Sequence, residues 1–360
     1  AVVLRLPRLG KGQALTLAER ELPTGRLLLC DADLDGDLRE LVSEDADLAV
    51  AAFAARVGGG FGIAKTAARA LVRARSGSDA REPLSGQRVL SRSARDTCFP
   101  LAPGFGCEVR MTIDAVRAGL RVDERELELG HRDTGRTARG FLHRGRQLLD
   151  TVLACGPTAA NYRDLRLPLV GVLVALGGSG ASTRTRAGVA ATALLGVADD
   201  LWSGPERGFK AHLAKGSTTG VAKALGIPLV ALGTTRSLRK AALVALAANA
   251  LNQLDTRPGR ALKVFAAGAA LVGGDAARYL PAAVLLAPYD LREMTMLGDA
   301  GSNALGAVLG FGSVGRLTAR GQILCIAGLA ALTAAGEVRS LGALIERTPV
   351  LRELDAMGRP

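Results

Sequence analysis

Four polar constellations interrupt the apolar second half of this chain. Asp199-Asp200 follows the apolar run 191–198, and Arg207, Lys210 and Lys215 make a basic loop. Asn249, Asn252 and Asp255 recur at a spacing of three and are followed by Arg257, Arg260 and Lys263, while Gly298-Asp299-Ala300-Gly301-Ser302 opens a further apolar run. An Asp pair closing an apolar helix is costly unless it meets water, a cation or a proton to move. The spacing of three sets Asn249, Asn252 and Asp255 along one side of a helix. Magnesium takes hard oxygen ligands from a few carboxylates and from substrate phosphates, and a carboxylate beside an anionic acceptor acts as general base. Together these are the parts of phosphoryl transfer from a nucleotide diphosphate sugar, where positioning and charge neutralisation supply most of the catalysis.

The first half offers a different set. The apolar run Leu27-Leu28-Leu29 leads into Asp31-Ala32-Asp33, a D-x-D pair able to chelate a divalent ion that bridges a diphosphate. Downstream lie 83–88 (P-L-S-G-Q-R), 102–108 (A-P-G-F-G-C-E, ending in Glu108), His131-Arg132 with Arg136, and His143-Arg144 with Arg146.

These residues need elements to hold them. At 360 residues the chain is expected to form two domains, each with its own core. Up to about residue 150, short apolar runs (27–29, 48–50) alternate with helical stretches, which reads as mixed α/β. Beyond residue 167 come eight Ala/Leu/Val/Gly stretches, at 167–180, 187–198, 221–233, 241–251, 261–274, 279–288, 303–315 and 322–335, which read as a helical bundle. Each holds about 10 to 15 apolar residues. A spanning helix wants about 20, so taken singly these fit core helices as well as membrane spans. As spans, two lie between Asp200 and the Asn252/Asp255 cluster and two more before Asp299, so all the acidic motifs face one side. That topology puts Arg184, Arg186, Arg236, Arg239, Lys240, Arg316 and Arg320 on the outer side, against the positive-inside tendency.

Composition excludes several classes. The five cysteines are scattered, with no C-x-x-C pair and no clustering with the three histidines, so neither structural zinc nor a disulfide framework is expected. A net charge of +12 calls for an anionic partner, a membrane surface or a phosphorylated substrate. Nucleic acid is set aside because no basic run is interleaved with stacking aromatics. Residues 58–66 have Ala64 where a phosphate loop needs Gly, and are read as an ordinary loop. His131 and His143 lack partners at metal spacing. Residues 138–154 form a basic amphipathic stretch that fits either anionic lipid or an ordinary helix surface.

G-V-A-D-D (196–200), N-A-L-N-Q-L-D (249–255) and M-L-G-D-A-G-S-N-A-L-G (296–306) resemble, in order, the motifs of the polyprenyl-phosphate phospho-N-acetylhexosamine transferases, the superfamily of phospho-N-acetylmuramoyl-pentapeptide transferase. The resemblance implies acceptor and base roles for Asp199 and Asp200, nucleotide-sugar binding by Asn249, Asn252 and Asp255, and Mg2+ at Asp299. Where that family carries a Lys after the Asp pair this chain has Ser203, so the cation is expected from Lys210 and Lys215, with Arg257 beside them. The His-rich loop of the peptidoglycan branch is replaced by Glu337-Val338-Arg339-Ser340, which implies a divergent branch.

The first half resembles the later two-thirds of a family 2 glycosyltransferase with a GT-A fold, with Gly10-Lys11-Gly12 just before the D-x-D strand. The strand and acidic turn that grip uridine in that family would precede Ala1. The resemblance implies Mg2+, or Mn2+, at Asp31 and Asp33, and an acid/base role for Glu108.

The expected fold is therefore an α/β GT-A-like partial domain over 1–155 followed by an all-α multi-pass membrane domain over 156–360. The expected activity is Mg2+-dependent transfer of a sugar-1-phosphate from a UDP-sugar to a polyprenyl phosphate, releasing UMP. The expected place is the bacterial cytoplasmic membrane with the first domain in the cytoplasm, and a homodimer is compatible with it. The alternatives are a UDP-sugar glycosyltransferase anchored by its second half, and a catalytically inactive envelope-assembly protein.

Overall fold

In a computed structural model of the chain, Leu6 and residues 10–43, 45–54, 62–131, 138–202, 218–338 and 341–359 are described. Two compact units result, 1–168 and 169–360. The expected boundary at 155/156 falls too early. A hairpin of β7 (Thr158–Ala160) and β8 (Arg166–Pro168) stays with the first unit. It is held there by Arg166, which donates to Asp114 at 2.5 Å.

The first unit is built on a sheet of β1 (Leu27–Leu29), β3 (Leu48–Phe53), β4 (Arg88–Leu90) and β5 (Val122–Leu127) in the order β1-β4-β3-β5. Only the β3–β5 pairing is parallel. β2 (Leu34–Gly36) and β6 (Leu129–His131) form a separate antiparallel pair. Side chains alternate across a strand, so Leu48 and Val50 join Leu27, Leu29 and Leu90 in one core. Ala49 and Ala51 join Val89, Leu127 and Leu41 in another.

The helices of this unit are α1 (Lys11–Glu19), α2 (Arg39–Ser43), α3 (Ile63–Ser76), α4 (Arg92–Cys98), α5 (Cys107–Arg117) and α6 (Ala138–Ala154). Ser91 starts α4 by accepting the Ala94 N–H, a common N-cap arrangement. The α1 entry explains its two glycines: Gly10 sits at φ 109°, and a Cβ on Gly12 would lie 1.8 Å from the Ala102 carbonyl oxygen.

The second unit is helical: α7 (Val172–Leu176), α8 (Thr183–Trp202), α9 (Thr218–Thr235), α10 (Leu238–Leu254), α11 (Arg260–Val272), α12 (Gly274–Ala277), α13 (Leu280–Leu291), α14 (Gly298–Arg316), α15 (Ala319–Val338), α16 (Leu341–Arg347) and α17 (Pro349–Ala356). Seven of the eight expected stretches are long helices. The exception is 167–180, which holds the end of β8 and the one-turn α7, because Pro168 and Gly171 interrupt its backbone.

α14 is the hub, packed against α7, α8, α10, α11 and α12. Its small residues set those distances: a Cβ on Gly306 would lie 2.4 Å from the Ala247 carbonyl oxygen, and one on Gly310 2.6 Å from Val244 Cα. Small residues at helix contacts let backbones approach closely.

Among the described residues one helix is long and apolar enough to cross a membrane, over 319–336, and almost none of it is fully buried. Shorter apolar helices cover 220–235 and 280–291. The multi-pass expectation therefore narrows to one span by length and composition. The charges of α8, and the Gly, Ser and Asn of α14, lower the hydropathy of helices that are otherwise long enough.

Two outcomes test this packing. Gly306→Val is expected to destabilise the folded chain by about 1–3 kcal/mol through overpacking, seen as a lower thermal midpoint. Gly328→Ala in α15, where an added methyl meets nothing within 4 Å, should raise stability by about 0.4–1 kcal/mol. Cys98, Cys107 and Cys155 are buried, and burial pushes the Cys98 thiol up to about 12. Mass spectrometry after maleimide treatment at pH 8 should find these three unmodified in the folded chain and exposed Cys30 labelled, with all three reacting in denaturant.

Candidate functional site

The C terminus of α8 and the N terminus of α14 meet because Gly196 has no side chain: a Cβ there would lie 2.5 Å from Ala300 Cα. The contact delivers Asp200 onto the start of α14, where its two oxygens accept the N–H groups of Asp299 (2.9 Å) and Ala300 (3.0 Å). A helix begins with unsatisfied N–H groups and a partial positive charge, both of which a carboxylate satisfies. Gly298, at φ 63°, makes the turn that leads into this cap.

Beside the cap, the Lys223 ammonium lies 2.6 Å from Asp199 and also pairs with Asp299. The Asp199 side chain is 4% exposed. Two carboxylates in so dry a place repel one another unless a cation lies between them, and here the cation is a lysine. One turn along α14, the Ser302 hydroxyl is 2.8 Å from both Asn252 Oδ1 and the Gly298 carbonyl oxygen. Asp255 follows α10 in the same neighbourhood. Burial, and then the fields of Asp290, Asp299 and Asp200, push its carboxyl well above the usual carboxylate range.

Asp199, Asp200, Asn252, Asp255 and Asp299 are thus brought together, and two other expected site residues, Asn249 and Arg257, are not. Asn249 donates to the Thr333 hydroxyl of α15 at 3.1 Å, because a spacing of three drifts around a helix of 3.6 residues per turn. Arg257 pairs with Glu346 of α16, not with the acidic cluster. Arg260 makes a two-point bond with Asp355 of α17, and Lys263 donates to the carbonyl oxygens of Leu354 and Asp355, so both anchor the tail. Lys210 and Lys215 lie outside the described residues. The residue missed was Lys223, the one charged residue of α9. A lone lysine in an apolar helix is itself a functional signal.

The first unit carries a second polar set. Lys11, in the first turn of α1, lies 2.7 Å from Asp31 and 2.8 Å from Glu108. Burial opposes its charge, but Glu108 and Asp31 outweigh burial and hold the ammonium above the ordinary lysine range. Glu108 is buried and also accepts the Cys107 thiol at 3.1 Å. Gln87 donates to the other Asp31 oxygen at 3.3 Å.

The loop before Gln87 is shaped by fully buried Arg88, which donates to the carbonyl oxygens of Pro83 and Ser85 and to the Thr112 hydroxyl. Gly86 leaves the ion pair open on that side, since a Cβ there would lie 2.3 Å from Asp31. Asp33 is exposed and makes no ion pair among the described residues, so the two acids of the D-x-D pair have different surroundings.

Both sets fit magnesium in one respect only. Their donors are hard carboxylate oxygens, as the ion requires, yet among the described residues no group of three His, Cys, Asp or Glu is arranged to hold a metal. Each fits an ion shared with a substrate diphosphate, not a cage made of protein alone.

No protein-family model matches the chain. No curated protein matches it either. Solved structures of glucosyl-3-phosphoglycerate synthase from Mycobacterium tuberculosis are similar to it. The complex with Mn2+, uridine-diphosphate and phosphoglyceric acid is 27% identical over 42% of this chain and 56% of that one, at a TM-score of 0.34. The complex with phosphoglyceric acid is 25% identical over 46% and 63%, at 0.34. The complex with Mg2+ and uridine-diphosphate is 25% identical over 45% and 64%, at 0.34. The chain spans between half and two thirds of the length of these solved structures.

Proposed function

We propose that the second unit transfers a sugar-1-phosphate from a UDP-sugar to a polyprenyl phosphate at the bacterial cytoplasmic membrane, with the first unit in the cytoplasm. The observation that carries this reading is the Asp199–Lys223–Asp299 set beside the Asp200-capped start of α14.

An acceptor phosphate oxygen attacks the sugar-bearing phosphorus of the donor, the diphosphate P–O bond breaks, and UMP leaves. Asp199 takes the proton of an acceptor that arrives as the monoanion. Lys223 holds phosphate charge at the cluster, and Asn252 and Ser302 offer hydrogen-bonding groups to the nucleotide sugar. Asp255, whose carboxyl is pushed up by burial and then by its acidic neighbours, stands beside this place. Mg2+ held by Asp299 together with the diphosphate would neutralise the charge that develops on the leaving phosphate.

The test is the nucleotide released on incubation with UDP-sugars and polyprenyl phosphate. UMP is expected. Asp299→Asn and Lys223→Met should each lower its release by on the order of 100-fold, since the charge arrangement carries phosphoryl transfer. Lys223→Arg, which keeps the charge, should lose less. Unchanged UMP release in Asp299→Asn would refute the assignment, and chelation of divalent ions by EDTA should stop release in the wild type.

The Lys11–Asp31–Glu108 set favours a second reading, glycosyl transfer from a UDP-sugar in the first unit, with Mg2+ or Mn2+ at Asp31 and Asp33. UDP would then be the product. Glu108→Gln should lower UDP release by about 100-fold or more, as expected for a general acid/base group, and leave UMP release unchanged. Release of neither nucleotide would point to an inactive assembly protein.

A further inference from the structure

The turns at the end of the bundle away from the acidic cluster, 177–186, 235–240, 272–280 and 316–320, hold eight Arg or Lys and one carboxylate, Asp275. Asp275 is occupied locally, accepting from the Ser182 N–H and the Thr185 hydroxyl. Arg184, Arg186, Arg236, Arg239, Arg278, Arg316 and Arg320 are exposed. An uncompensated basic surface of this size seeks an anionic partner.

Within it is a groove of about 400 Å³ between α8 and α9. Arg184 and Arg236 stand at it, Ala187, Ala191, Val230 and Gly233 make most of its wall apolar, and the Thr234 hydroxyl on that wall is donated to the Val230 carbonyl oxygen. Neither arginine makes an ion pair among the described residues. Exposed Leu194, Leu225 and Leu229 add apolar surface on the same two helices.

Arg236 is also held at φ 53°, in the left-handed region, with its N–H donated to the Leu232 carbonyl oxygen at 2.7 Å. Glycine is the usual residue where a helix ends this way. A long cationic side chain kept in a disfavoured backbone conformation points to work for its guanidinium.

We infer that this groove binds the phosphate of an anionic phospholipid, with Arg184 and Arg236 on the phosphate oxygens and the first acyl carbons against Ala187, Ala191 and Val230. Guanidinium groups match phosphate with paired hydrogen bonds. The apolar walls select a phosphate attached to a hydrocarbon chain over a free one. This site is separate from the acidic cluster and does not depend on the sugar-phosphate chemistry proposed there.

The full chain, purified in a neutral detergent, would be mixed with phosphatidylglycerol or phosphatidylcholine, and retained lipid measured by native mass spectrometry. The wild type should retain phosphatidylglycerol at least tenfold better than phosphatidylcholine. Arg184→Gln with Arg236→Gln should remove that preference, while Arg320→Gln at the same end should leave it. Arg236→Gly should weaken retention while the thermal midpoint holds or rises, which separates binding from folding. Persistence of the preference in the double variant would overturn the site. Equal loss in Arg320→Gln would overturn it in favour of diffuse charge, and displacement of the lipid by millimolar inorganic phosphate would overturn the choice of a lipid. UMP release measured on the same samples keeps this outcome distinct from that of the transferase reading.

Discussion

The start of α14 is closed by a side chain from another helix, and much of the second unit depends on that bond. Asp200, at the end of α8, accepts both the Asp299 and Ala300 N–H groups. It reaches them only because Gly196 lets two backbones touch. The cap fixes the axial position of α14, and α14 fixes the helices packed around it. It also fixes Asp299 and Ser302 relative to Asp199, Lys223 and Asn252, so one contact serves the fold and the candidate site together.

Both units solve one electrostatic problem in the same way. Carboxylates held close together repel one another, and a lysine placed between them offsets that repulsion. Lys11 does this for Asp31 and Glu108, and Lys223 for Asp199 and Asp299. Each lysine comes from the first turns of a helix, α1 or α9, so its position is tied to backbone and not to a loose loop.

The bundle is polar at both ends. Acids and one lysine gather where α8 ends and α14 begins, while arginines gather at the turns of the far end. Between them runs α15, packed on α10 along one side and with little of its apolar length fully buried. Its open face wants either a lipid or a protein surface.

By itself the sequence determined the two-part architecture, the apolar runs at 27–29 and 48–50 that lie in strands, seven of the long helices, and the acidic motifs that would gather. Hydrophobic periodicity and charged interruptions are local properties, and local properties can be read along a chain. Tertiary structure alone decided the partners. The cation came from Lys223 and not from the expected Arg257, which went to Glu346, while Asn249 turned to Thr333. The hairpin at 158–168 joined the first unit through Arg166 and Asp114. Each of these choices depends on which surfaces close packing brings within about 3 Å of one another, and residues far apart in the chain do not announce that distance in their spacing.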